Sequence, residues 1–488
     1  MSSDRFHDLV SRAGSAPRLV SLVERLDDID PLDAIETIGR LSRHDQDVAR
    51  LIGTRMFWSR PVEGFSIAGI GAAVTLAPEG ADRFATIDRD WKSLVGDALI
   101  DDDSSDSAGG PVLMGGFAFD PEGPHSDAWR DFPAASLFVP ALQIVRDVNG
   151  CWLTTSHLAG DSPTNASELG VIARARAMLT TTRGARRDHT SVAGARLGID
   201  EMRRGSEWRD TVREAVAAIR AGRIAKVVLA REVRASATGD FDVIAALRQL
   251  RAAHETSYVF ACWRGDSAFL GATPERLVRV DGSHVRASSL AGSVRRGQTP
   301  EDDDAQAASL LNSGKDREEH EFVRRALCTG LARLCDDVTA GEAPELLSLP
   351  NVHHLHTAVH ARLRPGHTLL QLVAQLHPTP AVGGEPRNAA LRFIREHERM
   401  DRGWYAAPVG WMQRDRGEFA VALRSALVRG GEALLFAGCG VVADSDPAQE
   451  YAESLLKLRP MENALSVTAA SDAERPEHER APRYRIAG

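Results

Sequence analysis

Apolar and polar positions change period repeatedly along the chain, and each change marks an element. Residues 1 to 54 carry Leu19, Leu22, Val23 and Leu26 at helical spacing amid many charges, which predicts peripheral helices. Phe57 to Val74 reads as strand broken by glycine, and a helical pattern surrounds Trp91-Lys92-Ser93-Leu94-Val95. Asp101 to Gly110 is an acidic, serine- and glycine-bearing loop. Val112 to Phe119, Leu137 to Arg146 and Cys151 to Ser156 read as strands, the last two joined by the turn signal Asn149-Gly150. Residues 166 to 182 return to the helical period.

Arg183 to Asp200 is polar and glycine-bearing with no sustained period, and is the best boundary between an N-terminal half (1–200) and a second region (201–465). Beyond it, Ser206 is placed to cap a helix to about Ala221, and Ala225 to Val233 is an apolar strand carrying Lys226. Val243 to Ala253 is helical, strands follow at Ser257 to Trp263 and Ala268 to Val280, and residues 301 to 335 contain a long helix. Short strands and helices then alternate to Met461 without any internal repeat. Residues 466–488 are polar and proline-bearing, a composition that predicts disorder.

Composition narrows the function classes. The 488 residues would make about three domains on a ~150-residue prior, although large α/β folds exceed it. A formal charge of −9 with no basic run argues against a nucleic-acid partner. No stretch approaches the ~20 apolar residues of a membrane span, and the N-terminus lacks the apolar core of a signal peptide, so a cytosolic (cytoplasmic) protein is expected. The five cysteines are scattered without C-x-x-C spacing, which gives no disulfide framework and no cysteine-based zinc site. Of 59 basic residues only Lys92, Lys226, Lys315 and Lys457 are lysine. In so arginine-rich a chain each lysine is informative, because lysine alone can be brought to a neutral, basic amine.

Three of those lysines lie in chemically suggestive stretches. The apolar run Ala433 to Ala437 leads through Gly438-Cys439-Gly440 into Ser445-Asp446-Pro447, a cap with proline at the first helical position. On the helix that follows, Glu450, Glu453 and Lys457 fall at i, i+3 and i+7, so they share one face. Asp316 and Glu319 repeat the i, i+3 spacing within Lys315 to Glu321. A charge run on a helix ordinarily marks a solvated face, but two helices each offering two carboxylates could hold one Mg²⁺. Lys226 is the single charge near the start of an apolar strand. It is either a snorkelling edge lysine or a partly buried amine available as a base. Glu275 follows Pro274 between two strand-like segments. It could pair with a neighbouring arginine, or be a carboxyl in apolar surroundings that holds its proton and can donate it. His353, His354, His356 and His360 invite a zinc reading. Strand alternation fits the segment better and puts His354, His356 and His360 on one face of a polar or substrate-facing strand. Leu376 to Gly384, which includes Ala381, is a tight proline-glycine loop.

Together these ordered stretches resemble the chorismate-utilising enzymes, and within them the isochorismate synthases. The resemblance is strong over about residues 205 to 463 and general over the first 200, including Gly115-Gly116-Phe117-Ala118-Phe119-Asp120. It implies one large α/β (α+β) unit of two stacked, mainly antiparallel sheets with helices outside, so the boundary near 200 would separate halves rather than independent domains. It further implies that Lys226 activates water for attack at C2 of chorismate and that Glu275 protonates the departing C4 hydroxyl. Glu319 and Glu453 match direct Mg²⁺ ligands, and Asp316 and Glu450 match positions holding the water shell of the ion. Lys457 matches a residue binding the ring carboxylate. Arg424 matches the clamp on the enolpyruvyl carboxylate, supported by backbone donors of Gly438 and Gly440. Ala381 and His354 complete the substrate-facing set.

The chain departs from the pattern at Asp444, where glycine is common, at Tyr451 for tryptophan and at Cys439 for alanine. Anthranilate synthases and salicylate synthases resemble each other in threonine where this chain has Ala381, so the resemblance favours isochorismate as final product. Those enzymes, together with aminodeoxychorismate synthases, remain the alternatives within the family. A non-catalytic binding protein and a histidine-based zinc hydrolase are the alternatives outside it. The resemblance leaves menaquinone, siderophore and salicylate biosynthesis all open as the use of isochorismate and implies no obligatory protein partner.

Overall fold

The computed structural model describes residues 2–102, 109–123, 125–160, 165–181 and 197–466. Its strands form one continuous ladder that branches at the long strand Ala135–Asp147. One arm runs outward from that strand through Gly150–Ala159 and Arg18–Leu26 to Leu99–Asp102, the latter joined in parallel. On its other edge it continues, always antiparallel, through Phe65–Leu76, Thr54–Arg60, Tyr258–Arg264, Ser267–Thr273, Ser425–Arg429 and Glu432–Val441 to Lys226–Ser236. The second arm leaves the start of Ala135–Asp147 through Leu113–Phe117, Pro408–Met412, Arg416–Val421, Arg276–Asp281 and His284–Arg295 to Val352–Leu363.

The two arms face each other. Tyr258 Oη, on the first, donates to Glu418 Oε1 on the second at 2.6 Å, and rings such as Phe117 and Phe419 fill a common core with Trp58, Phe260 and Phe269. Both arms mix strands from before and after residue 200, so the two sequence halves share each sheet. Helices pack outside, among them Pro447–Ser466, whose far end buries Leu458, Met461 and Leu465 with Leu247 and Leu250.

Local chemistry explains most element ends. The helix Val243–Ala253 starts where Asp242 accepts the Ala245 N–H. The Asn149-Gly150 hairpin is closed by the Asp147 side chain, which accepts both turn N–H groups, with Gly150 at φ +151°.

Several expectations are corrected. Leu19 to Leu26 is strand, not helix: Leu19 to Val23 are all buried because the strand is paired on both edges and covered on both faces. The helix 205–220 starts at Gly205 with Arg204, not Ser206, at the cap, and the Glu201 carboxylate takes the Gly205 N–H. Ala268 to Val280 is two strands parted at Pro274-Glu275. The helix in 301–335 is two, Pro300–Asn312 and Gly314–Leu331, because Ser313 ends the first and caps the second through the Asp316 N–H. Most of the Arg183 to Asp200 boundary, and the tail from residue 467, lie outside the described residues.

Candidate active site

The two carboxylate-bearing helices and four strands converge on one cavity. Its wall includes Glu275, Glu319, His354, Ala381, Arg424, Gly438, Gly440, Glu453 and Lys457, nine of the twelve residues singled out in the sequence. Lys226 lies immediately behind that wall, and Asp316 and Glu450 flank it through their electrostatic contacts with Glu453.

Lys226 opens the strand Lys226–Ser236 and is fully buried, with Nζ 3.0 Å from Glu319 Oε1 on the helix Gly314–Leu331. The neighbouring strand Glu432–Val441 passes directly over this pair. A Cβ on Gly440 would overlap Glu319 Oε1 and lie 3.1 Å from Lys226 Cε, so any larger residue there must push the Glu319 carboxylate or the Lys226 stem aside. Glu275, in the break between two strands, is 4 % exposed. Burial pushes its carboxyl up to about 8, even though the Lys226 and Lys457 charges pull the other way. It is therefore a protonated acid at neutral pH.

The anion-binding end is built around Arg424. This residue holds φ +48°, a conformation unfavourable for a non-glycine side chain, and is almost fully buried. Arg424 Nη2 donates to His354 Nε2 at 3.2 Å, while Nη1 is buried without a hydrogen-bond partner. Burial, then the Arg424 charge, pushes His354 down to about 3. The neutral ring accepts at Nε2 and donates from Nδ1 to the Gly292 carbonyl at 3.2 Å. A buried guanidinium nitrogen with no partner in a cavity wall is a place for an anionic oxygen.

Of the four site carboxylates on these helices, all but Asp316 have a lysine against them. Lys457 Nζ lies 2.6 Å from Glu453 Oε1 and donates to the Gly438 carbonyl at 3.0 Å, and Lys315 Nζ lies 3.0 Å from Glu450 Oε1. The observed polar contact of Gly438 is thus acceptance from Lys457. Burial and the nearby Glu453 charge raise the carboxyl of Glu450. Burial, with Glu319 and Glu453, raises that of Asp316. Burial also opposes the Glu453 charge, but Lys457 and Ser293, whose Oγ donates at 2.6 Å, hold that carboxyl below its ordinary value. Carboxylates that raise one another electrostatically offer all-oxygen donors suited to a hard divalent cation such as Mg²⁺, so their chemistry fits that ion; among the described residues, no three of them bring ligand atoms within 4.8 Å of one another.

Among the described residues the group whose ligand atoms do lie close enough together for a metal is Cys439, Glu450 and Glu453. The Cys439 thiol, however, is held well above its usual range by burial and donates to the Glu450 carbonyl at 3.1 Å, so it remains protonated. The histidines do not gather as a zinc site would require. His353 lies between Ser348 and Asp303, whereas His354 serves Arg424.

Three contributors were not assigned a role from sequence. Ser293 binds Glu453, and Tyr405 places its hydroxyl beside Gly438 on the cavity wall. Arg402 ties the Val382 and Val228 carbonyls together at 2.8 Å each while paired with Glu398 at 2.6 Å. Lys315 stood out by rarity, but its partner could not be read from spacing. The divergent Asp444 is exposed in its turn, and Tyr451 points away to bond Glu201.

Residues 5–466 match the family model described as chorismate binding enzyme. A "Salicylate biosynthesis isochorismate synthase" of Pseudomonas aeruginosa is 38% identical over 468 residues, covering 96% of this chain and 94% of that protein. The isochorismate synthase MenF of Bacillus subtilis is 36% identical, covering 88% of this chain and 92% of that one. In fold, the chain matches the menaquinone-specific isochorismate synthase MenF of Escherichia coli with a TM-score of 0.73 at 22% identity, over 95% of this chain and 99% of the other. A family match over nearly the whole length, with full-length relatives above 30% identity, places this chain in the chorismate-binding enzyme family.

Proposed function

We propose that the protein is an isochorismate synthase, an isomerase that interconverts chorismate and isochorismate. The observation that carries the mechanism is Glu275, a carboxyl 4 % exposed on the wall of a cavity that also holds an unsatisfied guanidinium, where burial raises it to about 8. The substrate is a dicarboxylate. Arg424 would take its enolpyruvyl carboxylate through the free Nη1, and Lys457 would face the ring carboxylate.

Lys226 would remove a proton from water as the water oxygen bonds to C2, the ring double bonds shift, and the C4–O bond breaks. Glu275 would deliver its proton to that departing hydroxyl, so one water enters and one leaves. The reverse reaction exchanges the two roles. Lys226 can serve only after losing its proton, so Glu319, now 3.0 Å away, must be drawn off the amine first. Glu319 and Glu453 would hold Mg²⁺, with Asp316 and Glu450 binding its water shell. When bound, the ion would supply a Lewis acid for the ring carboxylate and neutralise the acidic cluster.

Ala381 lies on the cavity wall, and the resemblance, which puts threonine at that position in anthranilate and salicylate synthases, supports isochorismate as the end product. Purified protein incubated with chorismate and Mg²⁺ and analysed by chromatography should yield isochorismate. Salicylate as main product, or product formation only when ammonia is supplied, overturns the reading.

A further inference from the structure

The loop that gives Ala381 and Val382 to the cavity gives Thr379 and Pro380 to a second, separate groove of about 700 Å³. Three independent features there point to an anion. First, the helix Arg387–His397 begins at this groove with Pro386 at its cap and no side-chain cap hydrogen bond. Its first-turn N–H groups and positive dipole end therefore lack a side-chain acceptor. Second, Thr379 is 4 % exposed and its Oγ1 has no hydrogen-bond partner. Third, Arg333 and Arg387 form no ion pair among the described residues. Arg387 Nη2 donates to the Gln375 and Leu376 carbonyls at 2.9 and 3.3 Å. Burial and then the Arg333 charge weaken its protonation, and Glu385 only partly offsets them. Glu385 is the sole carboxylate in the lining.

We propose that this groove binds a small phosphorylated molecule, with its phosphate on the first turn of Arg387–His397, between Arg333 and Arg387 and hydrogen-bonded by Thr379 Oγ1. A tetrahedral dianion matches two guanidiniums plus backbone and hydroxyl donors better than a flat monoanionic carboxylate does. The groove exceeds a bare phosphate in size, and the partly exposed Phe322 and Ala326 offer apolar surface to an organic remainder. The occupant would sit on the segment that holds the candidate base. Gly384 and Glu385 pair with Val227 and Lys226, and the Ala225 N–H donates to the Glu385 carbonyl at 2.7 Å. Binding at this groove does not depend on the proposed isomerase activity.

Isothermal titration of the full chain with inorganic phosphate, AMP and citrate tests the site, using wild type, Arg333→Gln and Thr379→Val, each checked for fold by circular dichroism. Phosphate and AMP should bind wild type, and each variant should bind about tenfold or more weakly, the loss of roughly one charge-assisted or buried hydrogen bond. The tighter of the two probes tells whether a phosphate ester or free phosphate is the natural occupant. Arg333→Gln should keep wild-type turnover of chorismate without ligand, since it lies outside the cavity. No binding of either phosphate probe, equal affinity in wild type and both variants, or tighter binding of citrate than of both overturns the proposal.

Discussion

Glu319 Oε1 lies 3.0 Å from Lys226 Nζ, and the bare Cα of Gly440 is what leaves room for the two to meet. The strand Glu432–Val441 is hydrogen-bonded to the strand carrying Lys226, with Gly440 opposite Val228. Neither strand can retreat without breaking the ladder. A methyl at residue 440 must therefore displace the Glu319 carboxylate or the Lys226 stem. Gly440→Ala should fold with near-wild-type stability in a denaturant melt yet lose about 100-fold in kcat, the usual cost of an ångström-scale misplacement. Unchanged kcat would show that the close approach has no catalytic purpose.

Glu275 sets a pH dependence with a definite sign. Its carboxyl moves from an ordinary 4.5 to about 8, so the folded protein binds a proton that the unfolded chain releases across that window. The stabilisation is full below about 4.5 and is lost as pH rises through about 8, because the buried carboxyl must then ionise. Glu275→Gln removes this dependence. The variant should become more stable than wild type as pH climbs past neutrality, by a few kcal/mol at most, in melts run at a series of pH values. Its chorismate turnover should fall by roughly 10²- to 10⁴-fold, the range for loss of a general acid. Wild-type turnover should decline on the alkaline side near 8.

The lysine pairing of the acidic cluster predicts how the protein answers Mg²⁺. Three of the four carboxylates already face an ammonium, so the fold does not need the ion, and treatment with a chelator should abolish turnover while leaving circular dichroism unchanged. Adding Mg²⁺ at about 100 times its dissociation constant should stabilise the protein by about 2.7 kcal/mol, read as a rise in Tm. In Glu453→Gln that rise should largely vanish, because this carboxylate and Glu319 are the proposed direct ligands. A rise of equal size in the variant would place the ion elsewhere.

How much of this was legible in sequence depended on whether the signal was local. The i, i+3 carboxylates on two helices, the Asp446 cap, whose carboxylate accepts the Ala448 and Gln449 N–H groups, and the helix Val243–Ala253 all follow from neighbours within a turn or two. Arg18–Leu26 was misread because a strand buried on both faces has no alternation, and its leucines fall by accident at helical spacing. The break at Ser313 carried a local capping signal that the continuous charge pattern on either side obscured. The Lys226–Glu319 and Lys315–Glu450 pairs join elements far apart in the chain, so no spacing rule could find them. Arg402 was hidden for another reason: in a chain whose cations are nearly all arginine, one more carries no compositional signal.

Arg402 nevertheless holds the site together, and its substitution separates stability from chemistry. Its guanidinium and the Glu398 carboxylate are 4 % and 2 % exposed, with Nη2 and Oε2 2.6 Å apart. Glu398 Oε2 also accepts the Ala230 N–H at 2.7 Å, while Arg402 spans the Val228 and Val382 carbonyls. The pair thus bolts the loop bearing Ala381 to the strand bearing Lys226. Arg402→Met alone leaves Glu398 buried and unpaired and should cost about 3 to 5 kcal/mol in urea melts. Adding Glu398→Gln removes the stranded charge and should recover part of that loss. Turnover should not recover with it, because neither replacement restores the two carbonyl contacts that set the loop against the strand. A double variant with restored stability and wild-type kcat would mean that the loop is positioned by its backbone alone.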